Sequence, residues 1–228
     1  MTTWITTFDS PVGPLLLMSD GTSLTGLHTD NDKHRPAIRL DWVRDDRVAP
    51  FAQTIAQLRA YFDGALTEFD LPLAPQGTEF QMTVWRELRN IAFGETISYA
   101  ELARRIGRPT ASRAVGHSNA RNPISIIVPC HRVIGADNSL TGYAGGLDRK
   151  RALLALEARN AGTRDEGRGR GKGRVKGSSP LAECKALNRS FAGHILAEGS
   201  TGVLLFKTRR ATWQANTARR RPSKSSRR

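Results

Sequence analysis

Apolar and polar positions alternate from Trp4 to Thr29, interrupted by Pro11, Gly13, Pro14, Gly21 and Gly26. A period of two broken by turn residues predicts a small antiparallel meander. Residues 30–47 are polar and predict a loop, and His28 and His34 are read as solvated loop residues. From Pro50 onward, Phe51, Ile55, Leu58 and Phe62 fall on one helical stripe that Gly64 closes, which predicts a packing helix. Residues 67–73 predict a returning strand. Pro72, Pro75 and Gly77 then mark a linker, so a domain boundary is placed near residue 77.

The second half has stronger punctuation. Thr78 with Gln81 forms a capping box for a helix carrying Phe80, Val84, Leu88 and Ile91, ended by Gly94. Ser98 with Glu101 forms another, opening a short helix that Gly107 stops. Pro109-Thr110 starts a further helix to about Asn119. Two short helices around a glycine turn read as a helix-turn-helix, or as a generic helical hairpin. Ala111, Ala114, Gly116 and Ser118 make the second helix thin, and an interior Gly costs about 1 kcal/mol relative to Ala. A helix without bulk can lie close to a nucleic-acid groove, with Arg113 reaching between bases or to phosphates; otherwise Arg113 is simply solvated. Asn122-Pro123 is a turn before the strand-like apolar residues 124–128, and Asn122 either caps that turn or braces the cysteine segment beyond it. Gly135-Ala136-Asp137-Asn138 predicts a tight turn, and residues 141–146 a Gly-rich loop whose amides can face a ligand. A last helix runs from about Leu147 to Glu157, with Leu147, Leu153, Leu154 and Leu156 apolar and Glu157 extending their stripe.

The candidate chemistry lies between the strand-like run and the Gly-rich loop, at Pro129-Cys130-His131-Arg132. A thiol acts as a nucleophile through its thiolate, and an imidazole and a guanidinium nearby are the surroundings that lower a cysteine pKa. On a strand, neighbours point to opposite faces, but Pro129 favours a turn in which Cys130 and His131 couple directly or through a water. A buried structural cysteine is the bland alternative. Glu157 on an inward stripe calls for a partner, and His131 would complete a Cys-His-acid series, unless the helix end frays into water.

Composition narrows this further. The 228 residues are 39% hydrophobic, enough for a core, and the two cysteines, Cys130 and Cys184, build no disulfide framework or zinc spacing. No apolar run has membrane-spanning length and the first seven residues lack signal-peptide character, so a cytoplasmic protein is expected. The net charge of +14 resides at one end, since residues 1–157 hold 17 basic and 17 acidic side chains and residues 158–228 hold 18 and 4. Six arginines and no acid lie from Arg104 to Arg132. That local cationic surface fits phosphate contact better than the global charge does.

Taken together, residues 93–99 (Phe93-Gly94-Glu95-Thr96-Ile97-Ser98-Tyr99), Ser112-Arg113-Ala114-Val115-Gly116, Asn122-Pro123, Pro129-Cys130-His131-Arg132-Val133 and Gly142-Tyr143-Ala144-Gly145-Gly146 resemble the O6-alkylguanine-DNA alkyltransferases, also called methylated-DNA-protein-cysteine methyltransferases. The match is strong over residues 78–157, and Pro11-Val12-Gly13 with Tyr61-Phe62 matches the amino-terminal part more loosely. The resemblance implies an α+β protein. Residues 1–77 would form a small α/β domain with an antiparallel, ribonuclease H-like sheet, and residues 78–157 a mostly helical, helix-turn-helix (winged-helix-like) alkyltransferase domain. Residues 158–228 would be a disordered basic tail.

The implied activity is irreversible, stoichiometric transfer of an alkyl group from guanine O6 in double-stranded DNA, and sometimes from thymine O4, to Cys130 of a monomer. No metal or other cofactor is implied. His131 and Glu157 would complete the activating network and Asn122 hold the turn. Arg113 would fill the stack vacated by the flipped nucleotide, with Ala114 and Gly116 on the same DNA-facing helix. Tyr99 would assist extrusion, Tyr143 would wall the alkyl pocket, and the Ala144 amide would sit beside the guanine oxygen, with Arg132 and Val133 also among the contacts. Ala144 stands where some relatives have a hydroxyl, which leaves only a backbone contact. Other classes stay in view: a non-catalytic lesion-binding protein, a cysteine hydrolase, for which no oxyanion site is evident, and a helix-turn-helix regulator, which leaves the cysteine segment unexplained. The tail would either add nonspecific DNA affinity or have no selected role, and Cys184 and His194 are read as ordinary side chains.

Overall fold

The computed structural model describes residues 2–165; the expected disordered tail beyond that point, with Cys184 and His194, lies outside the described residues. The amino-terminal alternation folds into β1 (Trp4–Ser10), β2 (Gly13–Ser19) and β3 (Leu24–Thr29), paired antiparallel in the order β3-β2-β1. Leu15, Leu16 and Leu17 of the central strand are all buried, as expected of a strand covered on both faces. The predicted polar loop contributes a short β4 (Val43–Arg44), which adds to β1 in parallel and makes the sheet four-stranded and mixed. Helix α1 (Phe51–Phe62) buries Phe51, Leu58, Tyr61 and Phe62.

Two amino-terminal expectations are corrected. Residues 67–73 form no strand, because only Leu73 bridges Leu24, through the Leu24 amide to Pro72 and the Ala74 amide to the Leu24 carbonyl. His28 is not solvated. It lies 5% exposed on β3, its Nδ1 3.1 Å from the buried Asp32 carboxylate, while His34 is exposed as expected.

Helix α2 (Glu79–Leu88) begins at the full Thr78–Gln81 capping box. After the two-residue β5 (Ile97–Ser98) come α3 (Tyr99–Arg105) and α4 (Ser112–Ala120), joined through Gly107 at φ +71°. The second capping box is half made. Ser98 accepts from the Glu101 amide, but the Glu101 carboxylate turns to Arg104 and Arg105 instead of reaching back. Helix α4 is seated by Val115 and by the Trp85 indole, which donates to the Ser118 carbonyl at 2.8 Å. Strand β6 (Val133–Ile134) pairs in parallel with β5.

The last helix among the described residues, α5 (Leu147–Asp165), runs past the expected end at Glu157 and past the expected tail boundary at 158. Glycines at φ +75° and +79°, Gly64 and Gly94, let it pass closely: a Cβ on either would stand 2.6 Å from Asn160 or 2.8 Å from Ala161. Glu157 is buried as expected, but the inward face otherwise differs from the apolar stripe expected, for Leu147 is 43% exposed while Arg149 and Lys150 are at most 2% exposed.

Candidate active site

The strand-like run 124–128 is not a strand. It coils beneath the site, with Val128 bonding back to the Ile124 carbonyl and Ile126 at φ +72°, a costly backbone state for a β-branched residue. Asn122 supplies what a neighbouring strand would. Its Oδ1 accepts from the Ile124 amide at 3.1 Å and its Nδ2 donates to the Val128 carbonyl at 2.8 Å. The other brace comes from β3, where the Leu27 amide donates to the Pro123 carbonyl and the Leu27 carbonyl accepts from Ser125. This held turn delivers Cys130–Arg132 as one turn of 3-10 helix behind Pro129, and the Asn119 side-chain amide donates to the Cys130 carbonyl at 3.2 Å.

Glu157 gathers the two residues next to the cysteine. Its carboxylate lies 2.8 Å from His131 Nε2, accepts from Arg132 Nε and Nη2 at 2.9 Å each, from the Tyr61 hydroxyl at 2.7 Å and from the Gly94 amide at 3.2 Å. Burial by itself would raise its pKa, but the hydrogen bonds and positive charge of this set hold it well below the usual carboxylate range. Arg132 supplies the balancing charge. His131, wholly buried, is held below its ordinary value by burial, which outweighs the raising effect of the Glu157 hydrogen bond and charge, with the charges of Arg132 and Lys150 adding smaller lowering contributions. A neutral imidazole facing a carboxylate through Nε2 carries its proton there, which leaves Nδ1 a bare acceptor with no hydrogen-bond partner among the described residues.

Cys130 keeps 4% exposure. Burial pushes its thiol up to about 11, only partly offset by a hydrogen bond from Asn122 and the charge of Lys150. This corrects the expectation of a resting thiolate beside Arg132: that guanidinium faces away, donating to Glu157 and, at 2.6 Å, to the Ile91 carbonyl. Nor is Arg132, 5% exposed, presented to a substrate, and Val133, fully buried, has only its backbone to offer one. Lys150 is the cation near the sulfur. Burial brings it down to about 8, and its Nζ donates to the Val133 and Thr141 carbonyls at 2.6 and 2.7 Å and lies 5.9 Å from the Tyr99 ring centre.

Tyr99 begins α3 and donates to the Thr141 and Gly142 carbonyls at 3.1 and 3.2 Å. Its ring lies beside Gly116, where a Cβ would sit 3.7 Å away in ordinary van der Waals contact. Tyr143 is 9% exposed, and its phenol is raised by burial and by the nearness of Cys130 and Asp32. Ala144 is half-buried, and its carbonyl accepts from the Lys33 amide at 3.4 Å. Arg113 and Ala114 are exposed on α4. Of the six arginines read as one cationic surface, only Arg132 is interior; Arg104 and Arg105 are exposed but paired with Glu101, and Arg108, Arg113 and Arg121 are exposed as well. Sequence reasoning missed Lys150, Tyr61 and Asn119. Lys150 had a signal, three before Leu153 and seven before Glu157 on the inward face.

A family model described as 6-O-methylguanine DNA methyltransferase, DNA binding domain, matches residues 79–159, and one described as the ribonuclease-like domain of the same family matches residues 4–75. The methylated-DNA–protein-cysteine methyltransferase of Mycobacterium tuberculosis is 53% identical over 155 residues, 68% of this chain and 92% of the relative. That of Methanosarcina acetivorans is 52% identical over 150 residues, 66% of this chain and 95% of the relative. The crystal structure of Mycobacterium tuberculosis OGT in complex with DNA matches with a TM-score of 0.64 at 50% identity, covering 70% of this chain and 94% of that one. The chain therefore belongs to the methylated-DNA–protein-cysteine methyltransferase family. Among the described residues no cluster fit for a metal ion occurs and no helix is long and apolar enough to cross a membrane.

The thiol's environment sets its reactivity in the absence of DNA. Alkylation of Cys130 by iodoacetamide, followed on its tryptic peptide, is expected to rise with pH through about 11; a plateau reached below pH 7 would mean a resting thiolate.

Proposed function

We propose that this protein repairs DNA by a single irreversible transfer of the alkyl group on guanine O6 to Cys130. The observation that carries the reading is the turn that sets Cys130 beside His131 while Glu157 holds Nε2 and leaves Nδ1 bare. A thiol kept protonated by burial needs a base at the moment of reaction, and Nδ1 takes its proton directly or through one water. The sulfur then attacks the alkyl carbon, the S–C bond forms as the C–O6 bond breaks, and the electron pair leaves on the guanine. A hydrogen bond from the Ala144 amide steadies that leaving group, and Tyr143 walls the alkyl. The thioether has no leaving group for water to displace, so the protein is consumed.

A stacked guanine cannot present O6 to an interior sulfur. Helix α4 therefore docks its thin face, with Ala114 and Gly116, in the minor groove, Tyr99 supports the extruded nucleotide and Arg113 occupies the gap, at a cost of a few kcal/mol for flipping. The acceptor thiol also carries the expectation of a reducing cytoplasmic setting. The same geometry serves a monomer and extends to O4-alkylthymine if that base fits the pocket.

Two measurements test this. Intact mass after exposure to an oligonucleotide containing O6-methylguanine is expected to gain one methyl group on the wild type and none on Cys130→Ala; an unchanged wild type would leave a lesion-binding role instead. Arg113→Ala is expected to slow repair of duplex about tenfold or more while leaving transfer from the free O6-methylguanine base unchanged, since only the duplex needs flipping. An equal loss on both substrates would place Arg113 outside the extrusion step.

A further inference from the structure

Arg149 is 2% exposed, and nothing in the transfer chemistry uses it. Its guanidinium is bound on three sides. Nε donates to the Val12 carbonyl at 2.7 Å, Nη1 to the Gly145 carbonyl at 2.9 Å, and Nη2 to the Asp30 carboxylate. Val12 lies in the turn between β1 and β2 and Asp30 in the loop after β3, whereas Gly145 belongs to the loop carrying Tyr143 and Ala144. The fit is close on both sides. A Cβ on Gly13 would lie 3.0 Å from Arg149 Nη2, and one on Gly145 would lie 2.8 Å from the Thr29 hydroxyl and 3.0 Å from the Tyr143 ring. The Gly-rich loop is thus pressed against the end of β3 at the point where Tyr143 turns toward the sulfur.

We propose that Arg149 is a positioning residue for alkyl transfer, a clasp through which the amino-terminal domain fixes the loop that places Tyr143 and the Ala144 amide. The inference rests on the alkyl-transfer reading. A planar guanidinium with five donors in a fixed fork can hold three acceptors in different directions, and an ammonium cannot reproduce that geometry. These three acceptors, Val12, Gly145 and Asp30, all lie outside α4, so the clasp is expected to govern the reacting geometry and not duplex binding.

The test uses the full chain, with Arg149→Lys and the milder Asp30→Ala, whose carboxylate is 28% exposed. Single-turnover methyl transfer at saturating O6-methylguanine duplex gives the maximal rate, and binding of unmodified duplex gives affinity. Arg149→Lys is expected to lower the maximal rate about tenfold or more with affinity within about twofold, and Asp30→Ala to do the same more weakly. If rate and affinity fall together in both variants, or if both variants transfer at the wild-type rate whatever their thermal stability, Arg149 does not position the loop. Wild-type protein that accepts no methyl group would refute the transfer reading itself, an outcome separate from either.

Discussion

A single carboxylate, wholly enclosed, holds the catalytic end of this molecule together. Glu157 receives hydrogen bonds from Tyr61, Gly94, His131 and twice from Arg132, and so joins α1, the turn after α2, the 3-10 turn and α5 at one point. Removing one member of such a buried pair leaves an uncompensated charge, at about 3–5 kcal/mol. The enclosure also has a chemical result. Burial holds His131 below its ordinary value even beside this carboxylate, which suits it to the proposed role of base.

The second constraint is mechanical. Residues 124–128 are apolar almost throughout, yet they coil, with Ile126 strained, because Asn122 and the edge of β3 satisfy their backbone in that shape. The amino-terminal sheet is consequently part of the site's scaffold. Through Leu27 it supports the turn below the cysteine, and through Arg149 it meets the loop opposite. Burial then has two effects on the sulfur. It keeps the thiol protonated and protected at rest, and it makes ionisation depend on a base placed within the same enclosure.

Signals in the sequence are legible where local physics decides. The Thr78–Gln81 box and Gly107 mark helix ends because capping and left-handed glycines act within a few residues, whereas α2 stops at Leu88, short of Ile91 and of the end expected at Gly94. His131 and Glu157, 26 positions apart, are expected partners from an acid on an inward stripe, and they stand 2.8 Å apart. Tertiary choices are less visible. Arg132 reads as part of a cationic surface around the thiol, but a guanidinium next to a buried carboxylate gains more by turning inward. His28 leaves the solvent because Asp32, four residues on, gives it a partner. The roles of Arg149 and Lys150 are hidden in the sequence because most of their partners are backbone carbonyls, which no residue type announces.

The proposed transfer depends on the protonation of one imidazole. Nitrogen-15 NMR of His131 in the resting protein at neutral pH reads it directly. The neutral ring with its proton on Nε2 and a bare Nδ1 is the predicted state; an imidazolium, or a ring protonated on Nδ1, would contradict the claim that Glu157 prepares His131 to take the proton from Cys130.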